Sequence, residues 1–391
     1  MEDQMRRLVG FASGLVIVAA LMWSGCQKGT TESPMTSENS AQQVTTLGKQ
    51  DARVQAVMAV QNRHTDHLMK TAGVVGTATG LSDDGSVVMK VYTIHAGVQN
   101  IPASLEGVPV EVEVTGEFRA FQTPEKGNGH GGGGGGGGHG GGGGGGVSHT
   151  ALQTTPIKLG TSGGWEHDLA NGYCCGGTLG SLVQKGGKQY ILSNYHVLNA
   201  DIVAGGNGLV ATDGDPVIQP GLIDVSCDSS VAQKVAFLSD ADNPSLPGSN
   251  VDAAIAEVVP GMVSTDGAIL EIGTISSQIV AASLNQAVKK SGRTTGLSRS
   301  SISGLNATVS VAYDNECAGG AAFTKTYTGQ IIIKNRGSKF LNAGDSGSLM
   351  VEDVTTNPRA VGLLFAGSST SAVANPIGDV LAYFGATMVG N

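Results

Sequence analysis

The chain has 391 residues, with 23 Lys and Arg against 32 Asp and Glu, a net charge of −9 at pH 7 and a pI near 5.3. That balance excludes nucleic acid as a main partner, because a phosphate-binding surface needs a surplus of basic groups. With 40% hydrophobic residues the chain can bury a sizeable core, and its length allows more than one domain.

Arg6 and Arg7 precede an uncharged stretch, residues 8–25, that ends Ser24-Gly25-Cys26. It reads as a targeting segment. The small residues before Cys26 resemble a bacterial lipoprotein signal, in which that cysteine becomes the lipid-modified first residue; Trp23 departs from the residue usual there. Ordinary signal cleavage and an uncleaved single-span anchor stay open, since the stretch is barely long enough to cross a bilayer. Residues 1–26 are thus expected to be a signal and lipoprotein segment, and lipidation of Cys26 would tether the chain to a membrane.

Residues 27–50 are rich in Ser, Thr and Gln without an apolar period, which predicts a disordered tether. Over 51–122 the pattern changes. Val54, Val57, Met58 and Leu68 share one helix face, residues 73–81 and 87–94 read as a hairpin around Ser82-Asp83-Asp84-Gly85, and Val108, Val110, Val112 and Val114 alternate with Pro109, Glu111 and Glu113. This predicts a small α+β domain. It lacks clustered acids, metal-ligand spacing and a phosphate loop, and His64 and His67 read as surface residues. Residues 123–150 are a Gly-rich linker in which His130, His139 and His149 lack the preorganisation a metal site needs.

Residues 151–391 show short alternating segments parted by Gly and Ser turns. Strands are expected at 177–183, 189–192, 253–258, 286–290, 302–312, 330–334, 348–351 and 360–365, with a terminal helix over 376–384. Setting Cys26 aside, Cys174, Cys175, Cys227 and Cys317 permit two disulfides, or one and two thiols, and suit an export compartment. No zinc-ligand spacing is present.

Gly344-Asp345-Ser346-Gly347-Ser348 carries the chemistry. A serine hydroxyl is a poor nucleophile at neutral pH and needs a base to take its proton and a third group to hold that base. His196 follows the apolar run Tyr190-Ile191-Leu192, and Asp252 is enclosed by small apolar residues, where a carboxylate needs a hydrogen-bonding partner such as an imidazole. Alone, each residue has a plainer reading: a Gly-Asp-Ser-Gly turn, a packed histidine, a strand-edge carboxylate. Together they stand in the order His, Asp, Ser, which argues against subtilisin-like and α/β-hydrolase scaffolds.

In these residues 151–391 resembles the chymotrypsin-like (trypsin-fold) serine peptidases. Ser291-Gly292-Arg293-Thr294-Thr295-Gly296, followed by the alternating Ser301-Ile302-Ser303, is similar to the α-lytic protease branch of bacterial enzymes. The resemblance implies a mainly β fold, a chymotrypsin-like double β-barrel here preceded by the small α+β domain. It implies a serine endopeptidase acting on protein or peptide substrates without a cofactor or metal, with His196, Asp252 and Ser346 catalytic and the backbone N–H groups of Gly344 and Ser346 as oxyanion hole. Asp345 would hold the nucleophile turn through an ion pair with Arg293. Val197 and Ser348 depart from the family's usual cysteine and glycine, and no cysteine precedes Gly344 in the pocket loop, which leaves the disulfides and the pocket in doubt. That pocket would be walled by Phe340, Leu364, Phe365, Ala366 and Gly367, which disfavours cleavage after Lys or Arg, weakly favours a neutral or apolar side chain and leaves Glu open. Residues 51–122 could act as an intramolecular folding aid or cover. The expected location is the bacterial cell envelope, lipid-anchored, or outside it after linker cleavage. The competing reading is a non-catalytic envelope binding protein on a peptidase scaffold; an esterase with the same triad is a minor one.

Overall fold

The computed structural model describes residues 45–120, 125–126, 147–170, 173–199, 211–238, 249–313 and 323–391. The expected signal segment, most of the tether and linker, Cys26, His130, His139 and Cys317 lie outside the described residues. The spacing of Val54, Val57, Val60 and Leu68 folds as helix α1 (Ala52–Leu68), capped by Asp51, whose carboxylate accepts the Arg53 N–H at 2.9 Å. Strands β1 (Val74–Leu81) and β2 (Val87–Thr93) form the hairpin read from the Asp-Gly turn. β3 (Ser104–Leu105) and β4 (Val108–Val114) extend it beyond β2, and β5 (Phe118–Ala120) and β6 (Glu125–Lys126) follow.

Next come β7 (Thr161–Trp165), β8 (Tyr173–Cys174), β9 (Gly177–Leu179), β10 (Ser181–Lys185), β11 (Lys188–Ser193), the short helix α2 (Tyr195–Leu198), β12 (Pro216–Gln219), β13 (Gln233–Leu238) and β14 (Ala254–Val258). Their antiparallel order is β9-β7-β12-β13-β14-β11-β10. β9 and β10 are one stretch of chain bent at Gly180, so the two ends of that order meet and the sheet closes as a six-stranded barrel. Glycine is required at the bend, where a side chain would overlap the Gly347 carbonyl.

The second half contributes β15 (Ala287–Lys290), β16 (Ser298–Tyr313), β17 (Phe323–Lys334), β18 (Leu349–Glu352), β19 (Ala360–Gly367), β20 (Ser371–Pro376), helix α3 (Ile377–Phe384) and β21 (Thr387–Met388), which returns to pair with β10. The order β15-β18-β19-β20-β17-β16 closes because β16 pairs back onto β15. The fold is therefore mainly β with two six-stranded barrels, as the sequence resemblance implied. All eight expected strands and the terminal helix are present. β7, β12, β13 and β20 were not foreseen: Thr161-Ser162-Gly163-Gly164-Trp165 is too Gly-rich to read as a strand.

The second barrel's sheet does not stop at β16. β1 pairs along it, with Gly76 opposite Val309 and Gly80 opposite Gly304, so β1, β2, β4 and β3 continue the sheet outward. Two glycines on β1 make this close approach, since a Cβ on Gly76 would sit 2.9 Å from the Thr308 carbonyl. Helix α1 is pinned to the same strand by buried Gln61, which donates to the Asn306 carbonyl at 2.7 Å and accepts from Thr79 Oγ1 at 2.8 Å. Phe118 and Tyr92, packed edge to face at 5.8 Å, join the buried cluster that holds Val309, Val311, Tyr327 and Phe365 of the second barrel and Leu179 of the first. Burying the Phe118 ring contributes about 2 kcal/mol.

Cys174 and Cys227 form a disulfide that ties β8 to the loop after Asp224, and Cys175 is also disulfide-bonded. Among the described residues no helix is long and apolar enough to cross a membrane.

Candidate active site

Strand pairing brings His196 to Asp252. β11 and β14 run antiparallel with Ser193 opposite Ala254, so the residues just beyond that pair, on α2 and in the approach to β14, are forced together. His196 Nδ1 lies 2.6 Å from Asp252 Oδ2, and the His196 backbone N–H donates to Oδ1 at 3.3 Å. Both groups are buried, His196 at 2% and Asp252 at 0% exposure. Asp252 is held on its backbone as well: Asn194 Nδ2 donates to its carbonyl at 2.7 Å, and its N–H donates to Asn375 Oδ1 of β20 at 3.0 Å. A third donor to its carboxylate, Tyr313 Oη at 2.9 Å, comes from β16. The carboxylate is thus gripped from both barrels.

Ser346 sits in the turn between the barrels, with no exposed surface. Gly344 and Gly347 flank it at φ of +89° and +92°, conformations open to glycine. The Asp345, Gly347 and Ser348 amides are used inside the fold, donating to Asn342 O, Leu364 O and Asp345 O. Thr178 on β9 clasps the turn across the barrel boundary. Its N–H donates to Ser346 O at 2.8 Å and its hydroxyl to Gly344 O at 2.9 Å. β9 also brings the Ser346 turn toward α2. A Cβ on Gly177 would lie 3.0 Å from Ser346 O and 2.6 Å from the side chain of Val197, the residue after His196. Ser346 Oγ donates to Phe365 O at 3.4 Å.

The Arg293–Asp345 pair expected from the sequence does not form. Asp345 is paired with Lys290, whose Nζ is 2.9 Å from Oδ1. It also accepts from the Thr294, Thr295 and Asn342 amides and from Thr295 Oγ1, at 2.8 to 3.1 Å. Strand alternation is the reason. Lys290 shares the inner face of β15 with buried Val288, whereas Arg293 lies beyond the strand end and reaches Asp224, which takes its guanidinium with two bonds of 2.8 and 2.6 Å. Burial holds the Lys290 ammonium below its usual range, and the Asp345 charge works against that shift.

The expected pocket wall is split. Phe340 and Leu364 pack inside the second barrel with Ile302, Ile331 and Val361. Phe365 and Ala366 face the other cluster with Tyr313 and Tyr327. Gly367 and Ala366 already have a strand partner, because β5 lies antiparallel on them with Ala120 opposite Ala366 and Arg119 opposite Gly367. β6, on the same chain segment, pairs antiparallel with β8, in a small sheet separate from that of the first barrel.

Thr178, Lys290, Tyr313, Tyr327 and Asn375 were missed from the sequence. Lys290 had a signal in its alternation with Val288, and Tyr313 in its place at the end of the Val309, Val311 alternation. Thr178 and Asn375 had none. His149 is buried between Gly160 O and Glu271 at 2.7 and 2.6 Å, and among the described residues no group of three His, Cys, Asp or Glu is placed to hold a metal ion.

No protein-family model and no curated protein sequence matches the chain. Solved structures do. A glutamic acid specific serine protease that uses a histidine triad in substrate binding aligns with 59% of this chain and 100% of its own, at 18% identity and a TM-score of 0.39. Thermobifida fusca protease A aligns with 60% and 99% at 20% identity and a TM-score of 0.37, and an α-lytic protease homologue with 59% and 98% at 19% and 0.38. The chain is thus similar to chymotrypsin-like bacterial serine proteases.

Proposed function

We propose that this chain is a serine endopeptidase with a His196, Asp252 and Ser346 triad. The observation that carries the reading is the His196–Asp252 hydrogen bond beside a Gly-framed serine turn. In this mechanism Ser346 Oγ attacks the peptide carbonyl carbon while His196 Nε2 takes its proton. Asp252 keeps the other ring nitrogen protonated and stabilises the imidazolium. The N–H groups of Gly344 and Ser346 bind the oxyanion. His196 then protonates the leaving amine, and a water deprotonated by His196 hydrolyses the acyl ester to regenerate Ser346.

Residues 51–122 act as an intramolecular cover. β5 pairs with the last residues of β19, Ala366 and Gly367, beyond the end of the β18 pairing and next to Phe365, the acceptor of Ser346 Oγ, and adding a strand to such an exposed stretch is how extended peptides are held. Cutting the chain between 121 and 146 and releasing the module should raise hydrolysis of a small peptide about tenfold or more. Equal rates before and after release would remove the cover from the account.

A disulfide at Cys174–Cys227 supports an export compartment, and lipidation at Cys26 would hold the protein at the bacterial envelope. Incorporation of labelled fatty acid into wild type but not Cys26→Ser tests this.

A fluorophosphonate probe tests the enzyme itself. Labelling of wild type, before or after linker cutting, and none of Ser346→Ala is expected. No labelling of either form would favour the non-catalytic envelope binder.

A further inference from the structure

We propose that Tyr313 and Tyr327 are positioning residues for the catalytic carboxylate, a buried hydroxyl chain that sets how Asp252 holds His196; this rests on the peptidase reading above. Both rings are buried, and the hydroxyls meet at 2.5 Å. A phenol has one proton to donate. Tyr313 gives its proton to Asp252 Oδ2, so Tyr327 must donate to Tyr313, and the chain runs in one direction, Tyr327 to Tyr313 to Asp252. Phenylalanine would fill the same volume. Burying two hydroxyls is costly unless they are bonded, and among the described residues they are bonded into a chain that ends on the catalytic charge.

Placement argues further than packing. Tyr313 also contacts the His196 ring edge to face at 6.0 Å, so one side chain touches both members of the acid–base pair. Tyr327 packs edge to face on Phe365 at 4.9 Å, the residue whose carbonyl accepts Ser346 Oγ. The two tyrosines therefore join the carboxylate end of the triad to the nucleophile end through the second barrel. The charged and titratable groups around Asp252 are His196 from α2, Tyr313 from β16, and Tyr327 and Lys325 from β17. Lys325 Nζ stands 5.1 Å from the Tyr327 ring centre and donates to Ser249 O. Burial, reinforced by the Asp252 charge, raises both phenols, so each keeps its proton through the working pH range.

The chemistry has a sign. A donor on Asp252 Oδ2 draws off part of the charge that would otherwise fall on the imidazolium. Removing it concentrates that charge on His196, raises the imidazole's basicity and loosens the carboxylate's orientation. Tyr313→Phe should lower kcat about tenfold with KM within about twofold, and move the acid limb of kcat/KM up by about half a pH unit. Tyr327→Phe should move both in the same direction by less.

The test is kcat, KM and the pH profile of both variants on a peptide substrate, with active sites counted by the fluorophosphonate probe and folding followed by circular dichroism. Unchanged kcat and acid limb in Tyr313→Phe would overturn the proposal. So would activity and thermal stability falling together with the acid limb in place, which a merely structural role predicts; should Tyr313→Phe not fold, Tyr327→Phe is read by the same criteria. Failure of wild type to take the probe both before and after linker cutting would instead sink the peptidase reading.

Discussion

Lys290 Nζ lies 2.9 Å from Asp345 Oδ1, and neither side chain has exposed surface. This pair, beneath the turn that presents Ser346, does the work the sequence assigned to Arg293. Removing one partner of such a pair leaves an uncompensated buried charge and costs about 3–5 kcal/mol. Lys290→Met should therefore melt well below wild type and lose probe labelling, while Arg293→Ala should keep substantial labelling because its partner is Asp224. Labelling lost in Arg293→Ala but kept in Lys290→Met would reverse the assignment.

Gly347→Ala should abolish peptide hydrolysis. The position has φ of +92°, and a methyl group would overlap the Thr178 carbonyl and Ser193 Oγ, the contacts that set the turn against the first barrel. Turnover within about tenfold of wild type would contradict this use of Thr178.

Asp168 is buried, among the described residues neither of its carboxylate oxygens has a hydrogen-bond partner, and burial raises its pKa well above the usual value. A carboxyl whose folded pKa lies above the unfolded one stabilises the protein fully below the unfolded value, about 4, and loses that contribution as pH rises through the folded value. Asp168→Asn should accordingly raise Tm at neutral and higher pH, with the gain shrinking toward about pH 4. Thermal melts across that range check it, and a gain greatest in acid would show the opposite linkage.

Gln61→Leu should weaken the hold of α1 on the second barrel. It strands the Asn306 carbonyl and the Thr79 hydroxyl, a loss of about 1–3 kcal/mol. Faster hydrogen exchange in β1 with unchanged exchange in β11 and β14 is the expected signature. Uniform exchange would show that α1 does not anchor the hairpin.

Much was legible before any coordinates. The alternation of Val309, Val311 and Tyr313 marks a strand, the Asp-Gly turn at 84–85 marks a hairpin, and His196, Asp252 and Ser346 announce themselves by residue type and order. These signals are local, written in side-chain period and turn chemistry.

What the chain alone determined was the kind of element at most positions and the set of candidate reactive groups. Which charges meet was decided only in three dimensions. Asp345 took Lys290 in place of Arg293, and Asp252 took a tyrosine from another barrel, because both pairings depend on which face of a strand turns inward and how the two barrels seat on each other. The same holds for residues 51–120: the hairpin and β4 could be read, but not β5, nor that these strands would extend the sheet at β16, since an edge reveals its partner only when hydrogen bonds between distant segments are formed.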